Sequence, residues 1–205
     1  MKRVAIILMG GQTRRMGQPK AWLPFGDETL LERIARILAK TTDHTIVVSA
    51  LDQAVPKLSF PTTVVHDEQP DRGPLEGIQA GLRAAQDLGD LCYISSCDVP
   101  LLEVKFVEKL FHLLSDEHDI VVPRDDKFFH PLAAVYRTCV LPTVEQLLKE
   151  DKRRPFFLFE QARTKIVPTS ELRDVDPKLS SLRNLNTSEE YAAALQELGY
   201  DSTTR

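Results

Sequence analysis

The feature that most constrains this chain is its start. Val4-Ala5-Ile6-Ile7-Leu8-Met9 is apolar at every position and ends on Gly10-Gly11. A strand with one wet face alternates apolar and polar residues. A run without alternation therefore predicts a strand covered on both sides, as in a parallel sheet between layers of helices. The rest of the chain follows that lead, with strand-like runs at Thr45–Ala50, Thr62–Val65, Leu91–Ser95, Asp119–Pro123, Pro131–Tyr136 and Lys165–Val167. Between them lie segments of helical spacing at Leu75–Leu88, Val104–Leu114 and Thr138–Lys149. Two further helices announce themselves by capping boxes, Thr29-Leu30-Leu31-Glu32 before Ile34, Ile37 and Leu38, and Thr187-Ser188-Glu189-Glu190 before Tyr191–Leu198. Strands alternating with helices predict a three-layer α/β fold with a mostly parallel sheet, and 205 residues predict one domain.

In such sheets ligands bind beyond the carboxyl ends of the strands. The loops to inspect are therefore Gly10–Gly26, Asp67–Pro74 and Cys97–Leu102. A net charge of −4 argues against a broad nucleic-acid-binding face, which needs a basic excess. Three cysteines, Cys92, Cys97 and Cys139, contain no Cys-x-x-Cys pair and predict neither a disulfide framework nor a zinc site. The apolar run after Met1-Lys2-Arg3 is shorter than that of a secretory signal, and no run approaches the ~20 residues that span a membrane. The expectation is a cytoplasmic protein.

The first loop, Gly10-Gly11-Gln12-Thr13-Arg14-Arg15-Met16-Gly17-Gln18-Pro19-Lys20, puts glycines and three cations directly after a buried strand. Glycine lets backbone N–H groups approach a phosphate, and the cations are costly there unless an anion joins them. It is not a Walker A loop, because Lys20 is neither adjacent to Gly17 nor followed by Ser or Thr. It lacks G-x-G-x-x-G as well, which disfavours a dinucleotide-dependent oxidoreductase. A solvated basic turn is the plain alternative.

Leu-x-Gly-Gly-x-x-x-Arg-Met-Gly-x-x-Lys over Leu8–Lys20 resembles the opening of molybdenum cofactor guanylyltransferases and their nucleotidyltransferase relatives. Three more segments extend the resemblance: the acidic loop from Asp67 leading into Gly73-Pro74-Leu75-Glu76-Gly77, then Cys97-Asp98-Val99-Pro100, and finally His130-Pro131 with Asn184-Leu185-Asn186-Thr187-Ser188-Glu189-Glu190. It implies a Rossmann-like nucleotidyltransferase fold. Leu8, Met9, Gly10 and Gly11 would line the nucleotide, with Lys20 and Arg15 on phosphate. The segment from Asp67 through Gly73, Pro74 and Gly77 would hold guanine and ribose, and Asp98 would ligate Mg²⁺. The implied reaction moves GMP from GTP to molybdopterin bearing molybdenum and releases pyrophosphate. The implied partners are GTP, the molybdopterin acceptor, and molybdenum-insertion proteins or recipient molybdoenzymes in transient contact, with no nucleic acid and no membrane. Residues 1–100 would mainly bind nucleotide, residues 101–198 mainly acceptor, and residues 199–205 would form a flexible tail.

Several readings stay open at this point. Asp98 suits Mg²⁺, which takes one or two carboxylates plus phosphate oxygens and water; alternatively it caps the helix near Glu103. Asp67 reads as assisting the metal, touching the nucleotide or forming a turn, and His130 as orienting substrate or sitting satisfied in the core. Lys152-Arg153-Arg154-Pro155-Phe156 could hold an anionic, flat acceptor, or place cations at a helix C-terminus. Ser49 stands where the family often has asparagine, and Met9 where it has alanine. The competing functions are a related nucleotidyltransferase using CTP or a sugar phosphate, and a nucleotide-binding regulatory protein without turnover.

Overall fold

The structure, a computed structural model, describes residues 1–9, 19–67 and 73–200. Within these, one seven-stranded sheet forms the centre, built from β1 (Arg3–Leu8), β4 (His44–Ala50), β5 (Thr62–Asp67), β6 (Leu91–Ser96), β7 (Ile120–Arg124), β8 (Ala133–Arg137) and β9 (Thr164–Pro168). A two-stranded ribbon, β2 (Pro24–Phe25) with β3 (Glu28–Thr29), stands apart. The sheet order is β5-β4-β1-β6-β8-β7-β9. Its first four strands are mutually parallel, β8 runs antiparallel to both β6 and β7, and β9 is parallel to β7. The unbroken apolar run at the N-terminus thus lies in the middle of the sheet, as its composition requires.

The period of two in each strand sorts the core into two halves. Ala5, Ile7, Met9, Val47 and Tyr93 face α1 (Leu30–Leu38) and α3 (Val104–Leu113). Val4, Ile6, Leu8, Ile46, Val48 and Ile94 face α2 (Pro74–Ala85), α4 (Leu141–Lys149) and α5 (Pro155–Gln161). A Cβ placed on Gly81 of α2 would lie 2.4 Å from Ile6 Cγ2, so this helix rests on β1 more closely than any side chain would allow. A third, smaller cluster joins the ribbon to α6 (Ser188–Glu197) through Leu23, Phe25, Leu101, Leu185 and Leu195.

Both capping boxes form as their sequences predict, with Thr29 and Glu32 closing α1, and Thr187 and Glu190 closing α6. Three elements differ from the sequence reading. The segment expected as loop to Gly26 already turns in a 3₁₀ helix at Lys20–Trp22 and pairs as a ribbon from Pro24. Pro155–Gln161 is a helix, its first residue a proline that needs no N–H partner. Tyr200 does not belong to a loose tail: its N–H donates to Leu195 O at 2.9 Å and its ring packs edge-on against Phe25. Residues 201–205 lie outside the described residues.

Candidate active site

β1 runs out to β4 and β5 on one side, and the chain then returns to place β6 on the other side of β1. The carboxyl ends of β1 and β6 therefore flank the point where the strand order reverses, the usual ligand crevice of such sheets. Leu8 is in register with both Val48 and Ser96. The ladder continues one residue further, with Met9 N donating to Val48 O at 2.8 Å and Cys97 N to Leu8 O at 3.2 Å. The side chains of Leu8 and Met9 are buried in opposite halves of the core. Gly10, Gly11 and Arg15, together with 68–72, lie outside the described residues.

Asp98 is the centre of the crevice. It sits in the turn just past β6, between Cys97 and Val99, which are buried in the core. It is only 8% exposed, yet well supplied with donors. Oδ2 accepts from Lys20 Nζ at 2.6 Å; Oδ1 accepts from Ser96 Oγ at 2.6 Å and from Asn184 Nδ2 at 3.0 Å. The backbone is clamped as well, Leu185 N donating to Asp98 O at 2.9 Å. Lys20 Nζ donates a second bond to Asn186 Oδ1 at 2.9 Å. The helix-capping alternative for Asp98 is not what forms: the N-cap of α3 is Glu103, whose N–H donates to Ser181 Oγ at 3.0 Å.

Asn184, Asn186 and Ser96 complete this cluster, and no role follows for them from the sequence. The usable signal was the second capping box. Glu190 Oε2 accepts from Asn186 N at 2.7 Å and from Thr187 N at 3.1 Å, so the cap that starts α6 also holds Asn186 beside Lys20. The C-terminal element thus reaches the Lys20–Asp98 pair from the far end of the chain.

The remaining candidates spread along the same edge of the sheet. Asp67 ends β5, paired in register with Ala50. β5 and β6 are separated by β4 and β1, which puts Asp67 about 14 Å across the sheet from Asp98 at ordinary strand spacing. It borders a groove of about 300 Å³ between β5 and α2, lined also by His66, Glu76, Gln79 and Arg83. Ser49 is buried, and its hydroxyl is engaged with His66 Nδ1 at 3.1 Å. Gly73 is the N-cap of α2 with φ 110°, a backbone conformation open to glycine, and Pro74 follows at the first helical position. Gly77 faces Leu8, whose Cδ1 would be 3.3 Å from an added Cβ, so its missing side chain lets the start of α2 settle on β1.

A Cβ on Gly73 would lie 3.4 Å from Arg153 O, which brings the basic segment to the mouth of the crevice. Arg154 is the N-cap of α5, a helix end that favours anions over cations, and the cluster follows the C-cap of α4 at Glu150. α4 instead ends in a Schellman turn, with Asp151 at φ 60° and Lys152 N bonded to Leu147 O at 2.9 Å. His130 is half-buried, and its Nε2 lies 3.1 Å from Asp125 Oδ2. Burial pushes the Cys97 thiol up to about 12, with the neighbouring Asp98 carboxylate adding to the rise. It is a packed thiol and not a nucleophile.

Chemically, the crevice offers one acidic oxygen pair and one ammonium held face to face. Among the described residues no group of three His, Cys, Asp or Glu side chains could hold a metal alone. One carboxylate is nevertheless the protein's usual share of a Mg²⁺ that arrives with phosphate oxygens and water, and Asp98 has about one lone-pair site, on Oδ2, beyond the three bonds it accepts.

A buried carboxylate and a lysine at the switch point of a parallel sheet, after a glycine-rich first loop, define a nucleotidyl-transferring α/β enzyme. Residues 5–164 match the MobA-like NTP transferase domain, and the chain belongs to that family. A protein of Methanosarcina mazei named probable molybdenum cofactor guanylyltransferase is 34% identical over 203 residues, covering 92% of this chain and 88% of that one. A molybdenum cofactor guanylyltransferase of Desulfosudis oleivorans is 30% identical over 190 residues, covering 92% of each chain. The fold is shared with the crystal structure of molybdopterin-guanine dinucleotide biosynthesis protein A from Archaeoglobus fulgidus, with a TM-score of 0.76, 22% identity and 96% and 98% of the two chains covered. It is also shared with 4-diphosphocytidyl-2C-methyl-D-erythritol synthase from Anaerococcus prevotii, with a TM-score of 0.73, 15% identity and 96% of each chain covered. The chain is a nucleotidyltransferase. Among the described residues no helix is long and apolar enough to cross a membrane.

Proposed function

We propose that this enzyme transfers GMP from GTP to molybdopterin bearing molybdenum, forming the guanine dinucleotide form of the cofactor and releasing pyrophosphate. The observation that carries the reading is the Lys20–Asp98 pair, 2.6 Å apart and brought together from loops after β1 and β6. Binding alone needs no carboxylate aimed at a phosphate site, and a buried one is expensive without a task or a partner.

In this reading Lys20 does two things in turn. Without nucleotide it neutralises Asp98. With nucleotide its ammonium serves the triphosphate, together with Arg15 and the backbone of Gly10 and Gly11. Asp98 would thereby be free to hold Mg²⁺, which would supply charge neutralisation at the phosphates. Ser96 and Asn184 keep the carboxylate aimed throughout, and Asn186 keeps the lysine. The site thus meets developing charge with groups already in place, which is where such an enzyme gains most of its rate. The base and ribose lie toward Asp67, Gly73, Pro74 and Gly77; three strand spacings, about 14 Å, separate Asp67 from Asp98, a span a nucleotide can bridge. Arg153 and Arg154, beside Gly73, face the acceptor.

The test is the fate of label. α-Labelled GTP should pass its label to molybdopterin, and γ-labelled GTP should give labelled pyrophosphate only. Label from the γ-position appearing on the acceptor, or CTP serving better than GTP, would replace this reading by that of a kinase or a cytidylyl relative.

A further inference from the structure

Lys20 and Asp98 stand 78 positions apart in the chain, on loops that follow different strands. Their 2.6 Å contact therefore depends on what holds those loops together. The Lys20 loop passes into the ribbon through backbone bonds: Leu23 N donates to Lys20 O at 3.0 Å, and Leu30 N, at the start of α1, to Leu23 O at 2.9 Å. The Asp98 loop turns over Pro100, with Leu102 N donating to Val99 O at 3.1 Å. Pro100 is a buried residue, and a buried carbonyl needs a donor. A side chain supplies it: Arg33 Nε donates to Pro100 O at 2.6 Å.

Leu30 packs in the small cluster with Leu23, Phe25 and Leu101, and Arg33, three residues further along α1, lies on the same side of the helix. Its Nη1 donates to Glu28 Oε1 at 3.2 Å, and its guanidinium carbon lies 5.0 Å from the centre of the Phe25 ring. One planar group thus meets the Asp98 loop with one nitrogen, and the ribbon with a second nitrogen and its face. Phe25 carries the contact on to the C-terminal element. Tyr191 of α6 and Tyr200 just after it pack edge-on against Phe25 at 6.1 and 5.8 Å, and Tyr191 Oη donates to Pro24 O. α6 is the helix whose cap holds Asn186 beside Lys20. Arg36 shows what charge alone would ask for. Its Nε and Nη2 both go to Glu28, at 2.9 and 2.7 Å, and among the described residues it makes no hydrogen bond to the Asp98 loop. Glu28 is therefore already matched, by a side chain 41% exposed, while the Arg33 side chain is only 12% exposed. Burying a second guanidinium there costs free energy that the ion pair does not account for.

We infer that Arg33 is a positioning residue for the reacting pair: it sets the separation of the two loops, and through them the aim of Lys20 and Asp98. This rests on the reading of that pair as the centre of nucleotidyl transfer. Reacting groups keep their geometry only when the groups behind them are themselves locked by hydrogen bonds and packing. Arginine suits the task because its donors lie in one rigid plane, which a lysine ammonium does not offer.

The test compares Arg33→Met with Arg36→Met in the full chain. Each takes a cation from Glu28 and should lower the melting temperature. Arg33→Met should in addition cut kcat for pyrophosphate release by about tenfold or more, since a misplacement of ~1 Å can cost ~10²-fold, and should leave the KM for GTP near that of wild type. Arg36→Met should turn over as wild type does. A second readout needs neither nucleotide nor metal. Acetic anhydride labels Lys20 Nζ to the extent that Asp98 and Asn186 let it go, and mass spectrometry reads the rate at that residue. Asp98→Asn gives the rate for a lysine set loose. Lys20 should be labelled at a rate approaching that one in Arg33→Met, and at the wild-type rate in Arg36→Met. Arg33→Lys is the variant to use if Arg33→Met fails to fold. It keeps a cation near Glu28 and Phe25 but cannot hold Pro100 O at the same time, and should follow Arg33→Met in both readouts. Turnover in the Arg33 variant equal to that of Arg36→Met, or labelling of its Lys20 at the wild-type rate, would overturn the inference. A wild type that releases no pyrophosphate from GTP would sink the proposed reaction, and the labelling contrast would still decide whether Arg33 holds the pair.

Discussion

Replacing Asp98 separates what this carboxylate does for the fold from what it does for turnover. It accepts three hydrogen bonds, one of them from the Lys20 ammonium. Removing one member of a fully buried pair costs ~3–5 kcal/mol. Here the Lys20 and Asp98 side chains retain 16% and 11% exposure, and Lys20 keeps Asn186 as an acceptor. The expected cost of Asp98→Ala is therefore smaller, ~1–3 kcal/mol, a drop of ~2–12 °C in melting temperature for a chain of this size. Asp98→Asn retains an acceptor oxygen and the shape of the group, and should melt closer to wild type. Both variants should lose ~10²-fold or more in turnover, followed as pyrophosphate release at saturating GTP with Mg²⁺ varied. Nucleotide binding without Mg²⁺ should hold or tighten, since a negative charge has left the phosphate site. Asp98→Asn with wild-type turnover and wild-type Mg²⁺ dependence would refute the reasoning.

Lys20→Ala should weaken GTP binding more than guanosine binding, measured by calorimetry, because an ammonium serves phosphate and not the base; equal losses would contradict it. Gly81→Ala should destabilise the chain by ~1–3 kcal/mol in a denaturant melt, since the new methyl would meet Ile6 at 2.4 Å, and wild-type stability would mean α2 can lift off β1 freely. Glu28 is held below its ordinary value of 4.5, chiefly by its hydrogen bond to Arg36 and further by Arg33. Its stabilisation is present above that value and is lost as pH falls through the lowered one. The stability gap between wild type and Glu28→Gln, of order ~0.3–1 kcal/mol for a pair partly open to solvent, should thus close on acidification; a gap that widens would reverse the sign.

What the sequence made legible follows from how local each signal is. The central strand, both capping boxes and the alternation of strands and helices are written in neighbouring residues, and they stand where expected. Asp98 and Lys20 could be named because each follows a buried strand or its loop, where a charge needs a reason. Ser96, Asn184 and Asn186 could not be given roles, because their meaning lies in contacts spanning up to 166 positions, such as Asn186 to Lys20. The helix at Pro155–Gln161 was hidden by its brevity and by three aromatic residues with modest helix preference. The short ribbon at Pro24–Thr29 was hidden by length, since two paired residues carry no periodicity. The basic segment was the least legible part: its cations read equally as a helix terminus or a subsite, and nothing local in them announces that Arg154 begins a helix.

The most direct test of the central claim is pyrophosphate release with GTP, CTP, ATP and UTP in turn, each with Mg²⁺, in the presence and absence of molybdopterin bearing molybdenum. The account predicts release that depends on the acceptor and is fastest with GTP. Release that ignores the acceptor, or that is equal for all four triphosphates, would contradict it.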